Sequence, residues 1–164
     1  MNMMRCVEHG HTIVCLGNLF PAPSEDDELD SFMYQTVGHD GIEAIASCME
    51  LPLYRRAIRK RGSINQDLEY ATTEGDEVEE LFALLQYVKQ QHPDVNAVAT
   101  GAILSNYQRT RVEAVCMRLG LVSLSFLWQS DQADLLDEMI ECGARAAPAC
   151  LACCMLRWWR ALAA

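Results

Sequence analysis

The side chains best suited to chemistry lie together between Gly101 and Glu113: Ser105, Asn106, Tyr107, Gln108, Arg109 and Arg111 fall in that stretch. Ser105 and Gln108 have the S-x-x-Q spacing of a capping box, which predicts a helix beginning at Ser105. Val112, Val115, Cys116 and Leu119 recur at i, i+3, i+4 and i+7 and form one face of that helix. The apolar run before it, ending at Gly101-Ala102-Ile103-Leu104, reads as a buried strand. A strand that runs into a helix start gathers free backbone N–H groups and the positive end of the helix dipole. Arg109 and Arg111 add charged donors in the first two turns, and Gly101 lets a ligand approach the backbone closely. That chemistry suits an anion, with phosphate the natural candidate. An ordinary strand–helix junction with surface arginines has the same pattern, so the residues alone leave both readings open.

Other candidates are weaker. Glu74 and Asp76 precede an apolar helical repeat, where acids serve either a site or the helix dipole. His39, a loop histidine before a helix, reads as a cap or surface residue more often than as a polar ligand group, and Asn18, following a strand, gives only a weak signal of facing a ligand. Of the eight cysteines, Cys6, Cys15, Cys48 and Cys116 lie in apolar periodic segments, as small core residues do. No secretory apolar region follows Met1-Asn2-Met3-Met4-Arg5, so a reducing compartment, the cytoplasm, is expected. Cys142, Cys150, Cys153 and Cys154 lack the second pair or histidines that a zinc site needs, and no protein-held metal is expected.

The elements that must position these groups are read from periodicity. A chain of 164 residues, 51% hydrophobic, is one globular domain with a real core. A net charge of −10 argues against nonspecific nucleic-acid binding. The charge comes in blocks. Glu25, Asp26, Asp27, Glu28 and Asp30 are one, Glu74, Asp76, Glu77, Glu79 and Glu80 another, and Arg55, Arg56, Arg59, Lys60 and Arg61 lie between them. Residues 1–9 predict a short helix, His11 to Leu16 a buried strand, and Ile42 to Met49 a helix. Leu53 to Ile58 predicts a strand at an edge or a strand end, because of Arg55 and Arg56. Val78, Leu81, Phe82, Leu85 and Val88 predict a helix, with Pro93 beyond its end. After the 101–113 corner come a strand over Leu121 to Leu127 and a helix around Leu135, Leu136, Met139 and Ile140, closed by Gly143. Repeated strand–helix units predict an α/β fold with a parallel sheet of about four strands and flanking helices. Ligands then bind beyond the carboxyl ends of the strands, among the loops after Leu16, Ile58, Leu104 and Leu127. Residues 144–164 are set apart as an Ala/Cys/Trp/Arg-rich tail. Its apolar run, Ala146 to Leu156, is too short to span a bilayer and is expected to take no cooperative part in the domain.

Five stretches carry a resemblance. They are the run Leu29-Asp30-Ser31-Phe32-Met33-Tyr34-Gln35-Thr36-Val37-Gly38-His39, then Leu51-Pro52-Leu53-Tyr54-Arg55-Arg56, Glu74-Gly75-Asp76-Glu77-Val78-Glu79, and residues 101–113 with Leu127-Trp128-Gln129 after them. Over roughly residues 1–143 the chain resembles the diphthine–ammonia ligases, or diphthamide synthetases, of the N-type ATP-pyrophosphatase superfamily. The resemblance implies a Rossmann-like sheet of the adenine-nucleotide alpha hydrolase type. It implies ATP, with Mg²⁺ on the nucleotide, and amidation by ammonia of the diphthine carboxylate on translation elongation factor 2; no nucleic acid or membrane partner is implied. By position it makes Gly101, Ser105, Asn106, Tyr107, Gln108, Arg109, Arg111 and Glu113 nucleotide-facing, with Arg109 or Arg111 on phosphate, Tyr107 and Gln108 shaping the pocket and Glu113 orienting an arginine. Glu74 and Asp76 become candidate active-site acids, and the catalytic residues stay unknown. The family's opening strand and its Ser-Gly-Gly-Lys-Asp-Ser phosphate loop have no counterpart ahead of Met1. The alternative expectation is therefore an inactive fragment or isoform. That missing strand is expected between the 11–16 and 96–101 strands, leaving two facing edges unpaired.

Overall fold

The computed structural model describes residues 1–22, 31–34, 41–59 and 64–143, together with the backbone of 160–163. His39, the acidic run 25–30, Lys60, Arg61, Cys150, Cys153, Cys154 and the run 146–156 lie outside the described residues. The elements in order are α1 (Asn2–Glu8), β1 (Ile13–Pro21), α2 (Ile42–Cys48), β2 (Leu53–Ile58), α3 (Val78–Gln91), β3 (Ala97–Ala99), α4 (Asn106–Leu119), β4 (Val122–Leu124), α5 (Gln132–Glu141) and β5 (Arg160–Ala163).

The sheet order is β2-β1-β5-β3-β4. β1 pairs with β2 in parallel, Leu16 opposite Leu53, and β3 pairs with β4 in parallel, Ala97 opposite Val122. These two parallel pairs never meet. β5 lies between them and runs antiparallel to both, Ala161 facing Leu16 on one side and Ala99 on the other. The sheet is thus α/β in architecture but mixed in its middle. Residues 160–163, expected to stand outside the domain, join it instead. The reason is the gap itself. Facing edges of β1 and β3 carry unpaired backbone groups, and a short strand satisfies both rows together.

Each element follows from its residues, with shifts at the ends. β1 runs past Leu16 through Gly17, Asn18, Leu19 and Phe20 to Pro21, because Leu19 is still an inward-facing apolar position. β2 is an edge strand, where Arg55 and Arg56 keep access to water. β3 and β4 are only three residues each; after Ala99 and Leu124 the chain turns away to form the corner described below. Helix α3 buries Val78, Leu81, Leu84, Leu85 and Val88, and α4 buries Val112, Val115 and Cys116. These side chains join Cys15, Leu19, Ile58, Val95 and Val98 in the main core. Each such burial contributes roughly 1.5–3 kcal/mol for a fully covered aliphatic side chain. On another side of the sheet α1 contacts β1 and β3, with Cys6 and Ala99 at the centre of a smaller cluster. Arg5 Nη2 on α1 meets Glu138 Oε2 on α5 at 2.7 Å. Among the described residues, no helix is long and apolar enough to cross a membrane.

Candidate functional site

The amino end of α4 organises the site. Ser105 is its N-cap, extended at ψ 99°, and its hydroxyl oxygen accepts from the Gln108 N–H at 3.3 Å. Only half of the predicted capping box forms. The Gln108 amide turns away and donates to the carbonyls of Phe32 at 3.4 Å and Met33 at 3.3 Å. The far end of α4 closes on Gly120, whose φ of 63° is the left-handed geometry a glycine adopts without strain.

Two loops are gripped from α4. The Ser31 hydroxyl accepts from the N–H groups of Met33 and Tyr34 and donates to buried Glu77, so the 31–34 segment is held on both sides of Phe32. The 64–68 segment is held by charge. Asp76, 1% exposed, accepts the Ile64 and Asn65 N–H groups at 2.9 and 3.0 Å, and the Val78 N–H on its other oxygen. Arg111, fully buried, donates from Nη2 to the carbonyls of Asn65 at 2.6 Å and Asp67 at 2.9 Å. Its guanidinium also lies 3.3 Å from the centre of the Tyr107 ring and 5.3 Å from that of Tyr70. The Tyr107 hydroxyl donates to the Asn65 carbonyl, and that of Thr110 to Leu68. Burial, and then neighbouring Glu79, push the Tyr70 phenol well up, so it stays a neutral donor to Glu79.

The expected arginine pair therefore separates. Arg111 faces inward, its terminal nitrogens committed to peptide carbonyls and its plane to aromatic faces; its Nε has no hydrogen-bond partner but is buried, out of reach of a phosphate at the surface. Arg109 faces outward, its side chain 35% exposed. Its Nε donates to Glu113 Oε1 at 2.7 Å, and its guanidinium carbon lies 4.8 Å from the centre of the Trp128 ring. Its two terminal nitrogens have no partner among the described residues. Trp128 is brought there by a turn after β4, tied to the 101–105 turn by the Gln129 N–H donating to the Ile103 carbonyl at 2.8 Å. Both turns follow the carboxyl ends of their strands.

The remaining candidates scatter. Asp76 is a buried loop organiser, while Glu74 is exposed beside it, so the two do not form an acid pair. Asn106 is exposed at the first helical turn, and Gly101 is half-buried and needs no left-handed backbone. Asn18 lies within β1, where its side-chain oxygen accepts from Arg55 Nε at 3.1 Å. Among the described residues, no three His, Cys, Asp or Glu side chains gather as a metal site requires. The five described cysteines, Cys6, Cys15, Cys48, Cys116 and Cys142, are free thiols, and burial pushes Cys15 up to about 12.

Between the two gripped loops lies an open cavity of about 240 Å³ lined by Phe32, Gln66, Ser105 and Tyr107. Sequence reasoning singled out Ser105 and Tyr107 but not Phe32 or Gln66. Phe32 was visible only within a longer motif, and Gln66 sits in a polar stretch with no periodic signal.

The family model described as the diphthamide synthase N-terminal domain matches residues 18–123. The diphthine–ammonia ligase of Saccharomyces cerevisiae is 56% identical over 138 residues, 84% of this chain and 20% of its own length. That of Danio rerio is 56% identical over 146 residues, 88% of this chain and 56% of its own. That of Homo sapiens is 54% identical over 147 residues, covering 88% and 54%. The chain thus spans about half the length of these vertebrate relatives and a fifth of the yeast one.

Proposed function

Since the chain belongs to the diphthamide synthase family, we propose that it forms the nucleotide-facing part of a cytoplasmic ligase that amidates diphthine on elongation factor 2. ATP supplies the adenylyl group that makes the diphthine carboxylate a competent acyl donor, and ammonia then displaces AMP to leave the amide. Without such activation a carboxylate is a poor acyl donor.

The observation that carries the reading is the state of Arg109. Glu113 fixes its Nε and Trp128 supports its plane, so the two terminal nitrogens are aimed with little freedom to lose on binding. They lie one turn into a helix, whose positive end adds to the attraction for phosphate oxygens. Asn106 and Ser105 offer further polar atoms at the helix start. Mg²⁺ has no cage of side chains among the described residues and fits as a cation carried on the nucleotide's phosphates, as is usual for it.

Calorimetric titration with Mg-ATP tests the assignment. Arg109→Ala should weaken binding roughly ten- to hundredfold, the effect of losing one or two charge-assisted hydrogen bonds. Glu113→Gln should weaken it less, because the arginine stays but loses its fixed orientation. Unchanged affinity in Arg109→Ala would remove the phosphate role.

A further inference from the structure

The cavity beside α4 is built from main chain held by buried charge, yet the side chains it presents are not core residues. Arg111 and Asp76 together hold the Asn65 peptide units, and Gln66, exposed at the surface, is the side chain thereby set on the cavity wall. Gln108 and Ser31 hold the opposite wall, which offers Phe32, 66% exposed. Fixing two loops so that an exposed phenyl ring faces a tyrosine is not needed for packing. The rings of Phe32 and Tyr107 stand 6.2 Å apart at 59°, an open aromatic corner whose polar neighbours are the uncharged Gln66 and Ser105.

We propose that this corner is the subsite for a quaternary ammonium group, the trimethylammonium of diphthine. The proposal rests on the ligase reading for the identity of the substrate, a histidine whose added chain carries a carboxylate and a trimethylammonium on one carbon. A trimethylammonium cannot donate hydrogen bonds, so recognition relies on aromatic faces within about 6 Å and on a shape that excludes water. Arg111 already occupies one side of Tyr107, so Phe32 supplies the open face and Tyr107 the back wall. A carboxylate two bonds from that nitrogen then lies on the Ser105 side of the cavity, toward the helix start where Arg109 would hold the nucleotide.

The test uses the full chain and two small probes, 4-(trimethylammonio)butyrate and its tert-butyl isostere 5,5-dimethylhexanoate, which keeps the carboxylate but lacks the ammonium charge, followed by amide chemical shifts. Saturable shifts are expected at Gln66, Ser105 and Tyr107, with the ammonium compound bound at least fivefold more tightly than its counterpart. Phe32→Ala should weaken the ammonium compound about three- to tenfold while leaving Mg-ATP affinity and the melting temperature unchanged. Equal binding of the two probes overturns the proposal, since an apolar cavity alone would explain it; shifts confined to other residues, or none, overturn it as well. Binding of the ammonium probe in a chain that does not bind Mg-ATP sustains the subsite and removes the nucleotide reading. The reverse result removes the subsite and leaves that reading standing.

Discussion

Arg109 and Arg111 differ by two positions and by everything else. Two residues turn an α-helix through about 200°, so one guanidinium must face outward if the other faces the core. The sequence contains that information. Arg111 shares a face with Val115 and Gln108, and reading the arginines on the helical wheel separates them. What it hides is the partner, because the carbonyls of Asn65 and Asp67 come from a loop with no periodic signature. Arg111→Ala should destabilise the fold by about 3 kcal/mol, as it removes charge-assisted bonds and leaves buried carbonyls unpaired. Arg111→Lys should recover less than half of that loss, because an ammonium lacks the second nitrogen that reaches the Tyr107 carbonyl and the plane that covers the Tyr107 ring. Urea unfolding checks both; a loss below 1 kcal/mol for the alanine variant would mean that the loop closes over the gap. Asp76 teaches the same lesson. An acid at a helix start suggests dipole or chemistry; it does accept the Val78 N–H there, but its other oxygen takes N–H groups twelve and eleven residues back.

Helices α3 and α4 were the most legible elements, since α3 carries a long apolar repeat with acids in its first turn and α4 an apolar repeat behind a capping serine. Leu84 joined the buried face and Phe82 moved to its margin, a rotation that spacing alone does not resolve. The two helices are joined across their outer edge by Arg118, which donates to both Glu79 oxygens at 2.8 and 2.9 Å. Arg118, more than any other neighbour, holds the Glu79 carboxyl below its ordinary range. A carboxyl depressed in the folded state contributes stability above its unfolded value of 4.5, and that stability disappears as pH falls through the lower folded value. Glu79→Gln should therefore lose roughly 1–2 kcal/mol at neutral pH, and the difference from the parent should shrink below about pH 4. Melting curves between pH 3 and 7, values chosen to bracket that unfolded reference, decide it; parallel curves would show that the bond adds nothing. The N-cap is a smaller effect. Ser105→Ala should cost about 1 kcal/mol, and a neutral result would mean that water replaces the hydroxyl. The strands were legible in existence and poor in extent, because β3 and β4 end where the chain leaves the sheet to build the corner, and no residue type marks that departure.

At the scale of the molecule, β5 links two parallel pairs that otherwise share no ladder. Its place could not be read from Arg160-Ala161-Leu162-Ala163, four residues without a strand's alternation; the open edges of β1 and β3 select it, and those are properties of the assembled sheet. Leu162→Pro removes a ladder N–H from the middle of the sheet and should lower the melting temperature by roughly 10 °C. A shift of less than 2 °C would show that helices, not this strand, hold the halves together. The same strand also governs how fast the domain can form. Ile13 pairs with Ala163, nearly the whole chain away, and Ala97 pairs with the same residue across α4 and α5. Contacts so distant in sequence are reached only after a large loop has closed, and its entropy must be surrendered before any hydrogen bond repays it. Until then β1 and β3 stand as two bare edges in a partly built sheet, open to strands from neighbouring molecules. The yield of refolding should accordingly fall with protein concentration even where the native state is soluble.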